Sequence, residues 1–109
     1  MAYDEDLAQR VRILVEKQLG CSEKKMFGGI GFLLHGNMAC GVLDDEQIVR
    51  VGRDQYEPAL QEPHTSPFNS AGRAMTGWVV LRAEGYADHN QHRRWVQKGV
   101  EIARSIPPK

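Results

Sequence analysis

Neither sign of charge is in surplus, since Lys plus Arg and Asp plus Glu each number 14 in 109 residues. A dedicated nucleic-acid binder normally carries a basic excess, because neutralising phosphates and releasing counterions supplies much of its affinity. Nucleic acid is therefore not the partner this composition favours. Long apolar runs are missing too, and none approaches the ~20 residues a membrane-crossing helix needs, so no membrane partner is expected. Only two cysteines occur, Cys21 and Cys40, outside any C-x-x-C pattern, which argues for free thiols over a disulfide scaffold. The opening Met1-Ala2-Tyr3-Asp4-Glu5-Asp6 is acidic where a secretory leader would be basic. A cytoplasmic protein is expected.

What is present suits one globular domain over residues 1–109. Hydrophobic residues at 41% are too many for a disordered chain, and this length buries enough surface for a single core. Leu7, Val11, Leu14, Val15 and Gln18 share one helical face, with Leu19 at its edge. Asp4 is placed to cap that helix and Gly20 to end it. The texture then changes to short apolar runs cut by glycine. Gly28-Gly29 separates Lys24–Phe27 from Ile30–His35, and Gly36-Asn37 reads as a two-residue hairpin turn into Met38–Leu43. Asp44-Asp45 leads on to Gln47–Val51. These runs predict an antiparallel meander, apolar on both faces in places, whose centre should lie under helices.

Arg53–Leu60 is a weaker helix candidate, with Asp54 as its cap and Pro58 acceptable only near a first turn. Pro63, Pro67, Asn69, Ser70 and Gly72 mark a long irregular stretch to about Thr76. Trp78–Ala83 predicts a further strand, ending by Gly85. Asp88 followed by Gln91 is a capping-box pattern that opens a last helix, with Trp95, Gly99, Ile102, Ala103 and Ile106 inward and Pro107-Pro108 at its end. The expected fold is α+β in two layers, an antiparallel sheet of about four to five strands packed against N- and C-terminal helices.

No catalytic, cofactor-binding or metal site is expected. Gly28-Gly29-Ile30-Gly31 fails the dinucleotide pattern, because position 34 is Leu34 and a strand follows instead of a helix. His89 and His92 share a helix start but lack a third ligand, and the positive end of a helix dipole disfavours a cation. They read as exposed or capping residues, and His35 and His64 are not placed to join them. Cys40 sits in an apolar strand as a small core residue, and Cys21 follows a helix end, where the dipole would not favour a thiolate. Asp44, Asp45 and Glu46 read as a solvated turn. Arg93, Arg94, Lys98 and Arg104 make the last helix basic on one side. Arg50, Arg53 and Arg73 are candidate anion- or partner-binding residues if the long stretch folds back on the sheet.

Met26-Phe27-Gly28-Gly29-Ile30-Gly31-Phe32, followed by Gly36-Asn37-Met38-Ala39, resembles the opening of the TfoX/Sxy N-terminal domain family. Ile48-Val49-Arg50-Val51-Gly52, Pro67-Phe68, Gly72–Val79, Trp95 and the closing Ala103–Lys109 are similar to it as well. The resemblance spans nearly the whole chain. It implies an antiparallel sheet on helices and a bacterial, non-enzymatic regulatory domain, related to regulators of natural competence and acting through a protein partner. In those regulators the domain is joined to a C-terminal one that has no counterpart here, so a stand-alone domain is expected. Two alternatives are compatible with the residues: sensing of a small ligand or anion through the three arginines, and weak DNA binding through the last helix. An unpaired sheet edge is compatible with a homodimer.

Overall fold

The computed structural model describes residues 3–26, 28–70 and 72–107. The parts of the sequence reading that fall on Met1, Ala2, Phe27, Pro108 and Lys109 lie outside them. Six strands form one antiparallel sheet: β1 (Cys21–Met26), β2 (Gly29–Leu34), β3 (Asn37–Leu43), β4 (Glu46–Arg50), β5 (Thr65–Ser70) and β6 (Arg73–Leu81). Their order across the sheet is β1-β2-β3-β4-β6-β5. The helices are α1 (Glu5–Val15), α2 (Arg53–Leu60), the one-turn α3 (Ala83–Tyr86) and α4 (His89–Ser105).

Side chains alternate across a strand, so register decides which residues meet the helices. Ile30, Phe32, Cys40, Val42, Val49, Val79 and Leu81 turn to one face and join Leu7, Val11, Val15, Ala59, Trp95, Val96, Val100 and Ala103 in a single core. The α+β class and antiparallel sheet agree with the sequence. The sheet has one strand more than expected, because the stretch read as irregular carries β5 and the start of β6. Pro67 and Asn69 hide that strand from a propensity reading. At the sheet edge, however, a proline's missing N–H costs no ladder bond, and the pairing breaks register between Pro67 and Asn69.

Several boundaries also move. α1 stops at Val15, with Glu16 as its C-cap, instead of running to Gly20. Gly20 lies in the turn into β1, where its carbonyl accepts from the His35 N–H at 3.0 Å. The β2–β3 turn is His35-Gly36, both at positive φ (51° and 85°), as a tight hairpin demands. Asn37 is already paired with Leu34 and buried, its Nδ2 donating to the carbonyls of Ile106 (3.3 Å) and Pro107 (3.0 Å). α2 is capped by Gly52 without a side-chain bond, so Asp54 does not cap it, and Pro58 stands inside the helix, past its first turn. Strand β6 ends at Leu81 and α3 takes up Ala83–Tyr86.

α4 begins as expected, with the Asp88 carboxylate accepting from the Gln91 N–H at 3.0 Å. Only half of the capping box forms, since the Gln91 side chain accepts from Arg94 instead. The buried stripe of α4 is His92, Trp95, Val96, Gly99, Val100 and Ala103, while Ile102 and Ile106 are half-buried. Between Phe32 and Leu33 the β2–β3 pairing shifts so that Ala39 is an extra residue on β3. The bulged backbone rises to meet α4 at Gly99, where any Cβ would run into the Ala39 carbonyl.

Gly99→Ala is therefore expected to destabilise the fold by about 2–3 kcal/mol, despite alanine's better helix propensity. Asp88→Ala should cost about 1 kcal/mol through loss of the cap. Urea unfolding followed by circular dichroism checks both, and an unchanged midpoint for Gly99→Ala would contradict the close approach.

Candidate functional site

The residues that carry chemistry gather in two places, one sealed and one open. The sealed group lies between α4 and the sheet. His92 Nε2 donates to Gln47 Oε1 at 2.5 Å, and its ring is 5.5 Å from that of Tyr86. The Tyr86 hydroxyl donates to the Asp45 carbonyl at 2.6 Å, and Arg10 Nη2 donates to the Tyr86 carbonyl at 2.8 Å. Gln47 Nε2 has no hydrogen-bond partner among the described residues. Burial pushes the Cys40 thiol up to about 12, with Gln47 only partly offsetting the effect, so it stays protonated and is a poor nucleophile. Cys40, Gln47 and His92 are at most 1% exposed. A substrate does not reach atoms placed this way, and the group reads as a polar clamp between helix and sheet.

The sequence puts His92 at the surface or in a capping role, whereas the structure buries it. It falls four residues after the N-cap Asp88, on the side of α4 that faces β4, and Gln47 is the polar acceptor waiting there. A buried imidazole with one hydrogen bond prefers its neutral form. Burial first, then the charge of Arg10 and the proximity of His89, bring its pKa down to about 4.

The open place is the other face of the sheet. Between the inward residues of β4 stand Glu46, Ile48 and Arg50, and between those of β6 stand Trp78 and Val80. Ile48 pairs with Val80, and Arg50 with Trp78. Leu33 and Met38 lie opposite each other on β2 and β3, with Leu43 farther along β3. None of these residues belongs to the core cluster under the helices, and among the described residues no helix covers them. The sequence reading placed helices over the centre of the meander, and that holds for one face only. Beside Phe68, the residues Leu43, Glu46, Ile48 and Val80 line a shallow hollow of about 240 Å³.

Arg50 is the cation of this face. Its guanidinium lies 5.0 Å from the centre of the Trp78 ring, and Nη1 donates to the Met38 carbonyl at 3.3 Å. Partial burial lowers its pKa, yet no carboxylate stands within ion-pair distance among the described residues. Arg53 opens α2 and is exposed, and Arg73 is exposed at the far end of β6, paired with Ser70 beyond the register break. Of the three arginines named from sequence, Arg50 alone stands on the apolar face.

The other sequence candidates scatter. Among the described residues, no three of His, Cys, Asp and Glu gather as a metal ion would need. Asp44 and Asp45 form an exposed turn, where the Asp44 carbonyl accepts from the Asp4 N–H at 2.6 Å. Half-burial raises the Cys21 thiol pKa, with Glu23 and Glu16 adding to the effect. On α4, Arg94 is held by Glu62 at 2.8 Å and Arg104 by Gln18, so part of the basic surface is neutralised or engaged within the chain. No helix among the described residues is long and apolar enough to cross a membrane.

Residues 14–103 match the family model of the TfoX N-terminal domain. No curated protein and no solved structure matches the chain.

The clamp makes stability depend on pH. His92 is held neutral in the fold down to about pH 4, whereas the unfolded chain takes up its proton near 6.5. The stabilisation is fully present above pH 6.5 and is lost as pH falls from 6.5 towards 4, by about 3 kcal/mol in all. Thermal melts at pH 7 and pH 5 should show a drop that is smaller in His92→Gln. An equal drop in the two proteins would contradict the role given to this residue.

Proposed function

Since this chain belongs to the TfoX N-terminal domain family, we propose that it is a regulatory domain of that type, working by docking a protein partner on the helix-free face of its sheet. The family is one of non-catalytic regulatory domains. The observation that carries the reading is the apolar second face, where no helix packs among the described residues: Leu33, Met38, Leu43 and Trp78 stand half-buried on it, around Ile48 and Val80, which their sheet neighbours leave 6% and 8% exposed. A sheet with one sealed face normally turns polar residues to water on the other. An apolar second face with an aromatic and an arginine near its middle has the composition of an interface core instead.

Direct DNA binding is less well supported. It would need cations free to meet phosphates, and two arginines of α4 are already engaged within the chain. A small-anion site at Arg50 is the second reading, favoured by the absence of a carboxylate partner for that guanidinium among the described residues. Thermal shift with phosphate or dicarboxylates separates it, because binding confined to the native state raises the melting temperature.

The docking reading is tested with a photo-crosslinking amino acid placed in living cells at Leu33 or Met38, and at Arg93 on α4 for comparison. Crosslinked bands are expected from the sheet positions and not from Arg93. Bands from Arg93 alone would overturn the assignment of the face.

A further inference from the structure

Charge, sheet edges and net neutrality together indicate what covers the open face. Along β4, Gln47 and Val49 turn into the core, so Glu46, Ile48 and Arg50 stand in line on the opposite side. Alternate residues of a strand are ~7 Å apart, so an anion and a cation flank Ile48, which is 6% exposed among the half-buried Met38, Leu43 and Trp78. Neither has an ion-pair partner within the chain among the described residues, where the two salt bridges are Arg12–Glu23 and Arg94–Glu62.

Such a line is complementary to itself when reversed. Lay a second copy face to face on the first, related by a half-turn about an axis that runs between them along the row Gly41, Ile48, Val80. The strand direction reverses, Ile48 meets its own counterpart, and Glu46 of each copy meets Arg50 of the other. That is the requirement for an isologous two-fold interface.

The edges of the sheet offer a poorer route to self-association. The outer strand β5 carries Pro67 and a broken register, and β1 presents the charged Glu23, Lys24 and Lys25. Both are features that discourage strand-to-strand pairing. With a net charge of zero, two copies also meet no overall repulsion.

We propose that the helix-free sheet face is a homodimer interface, in which Glu46 of each copy pairs with Arg50 of the other around an apolar centre at Ile48. This deepens the docking reading above and rests on it. Sedimentation equilibrium across micromolar to millimolar concentrations should show a monomer–dimer equilibrium for the unchanged chain, weakening as salt is added.

Glu46→Arg and Arg50→Glu each place like charges opposite one another twice. Each should raise the dimer Kd by roughly 100-fold, circular dichroism confirming that the fold is kept. An equimolar mixture of the two variants restores both pairs and should associate as a heterodimer. The double variant E46R/R50E should dimerise as well, which keeps the test decisive if one single variant fails to fold.

A chain that stays monomeric at every concentration overturns the proposal, as does a mixture that fails to associate while the single variants still dimerise. The crosslinking experiment separates this failure from that of the docking reading. Sheet-face bands at a mass other than twice the chain's, from a monomeric protein, leave docking standing and remove the dimer. No sheet-face bands from a monomeric protein remove both.

Discussion

The structure depends on how closely α4 can approach β3. Ala39 is the extra residue of the β2–β3 pairing, and its carbonyl stands out from the sheet where only a residue without a side chain passes over it. Gly99 supplies that passage, and the helix settles low enough for Trp95, Val96, Val100 and Ala103 to be buried with the sheet residues. The same seating brings His92 within a hydrogen bond of Gln47 at one end and the carbonyls of Ile106 and Pro107 within reach of Asn37 at the other. A helix held farther off would strand two buried polar side chains, each costing on the order of 1–3 kcal/mol without its partner.

Committing the helices to one face has a consequence for the other. A six-stranded sheet with α1, α2 and α4 all packed on the same side leaves its second surface to water or to another molecule. Here that surface shows the half-buried Leu33, Met38, Leu43 and Trp78 around the more deeply set Ile48 and Val80, with Arg50 lying across the tryptophan. Two titratable groups lie on the opposite, helix-covered side. Cys40 and His92 are sealed and held uncharged, one by burial that raises its pKa and the other by burial that lowers it.

The two terminal helices, the four-stranded meander and the cap at Asp88 were legible because each rests on a local signal. Helical spacing of apolar residues, glycine between short apolar runs, and a carboxylate three residues ahead of an N–H all act within one turn of chain. Strand β5 was not legible, since Pro67 and Asn69 argue against a strand except at a sheet edge, and edge position is a property of the assembled sheet. The burial of His92 is hidden from the sequence for a similar reason. On α4 it looks like any polar residue near a helix start, and only the partner strand shows that Gln47 lies beneath it. The one-residue difference at the β2–β3 turn came from Asn37, a good turn former drawn inward by carbonyls at the far end of the chain.

From the order of its residues alone, the chain determined its α+β class, its main elements and its family likeness, because periodicity and turn chemistry are short-range. Only the tertiary structure decided which side of each strand the helices would take, and with that which apolar residues became core and which became surface. Runs such as Phe32–Leu34 and Trp78–Leu81 are apolar at successive positions, so alternation alone does not name the buried face. The seat for α4, formed by a bulge on one strand and a glycine roughly 60 residues away in sequence, made that choice.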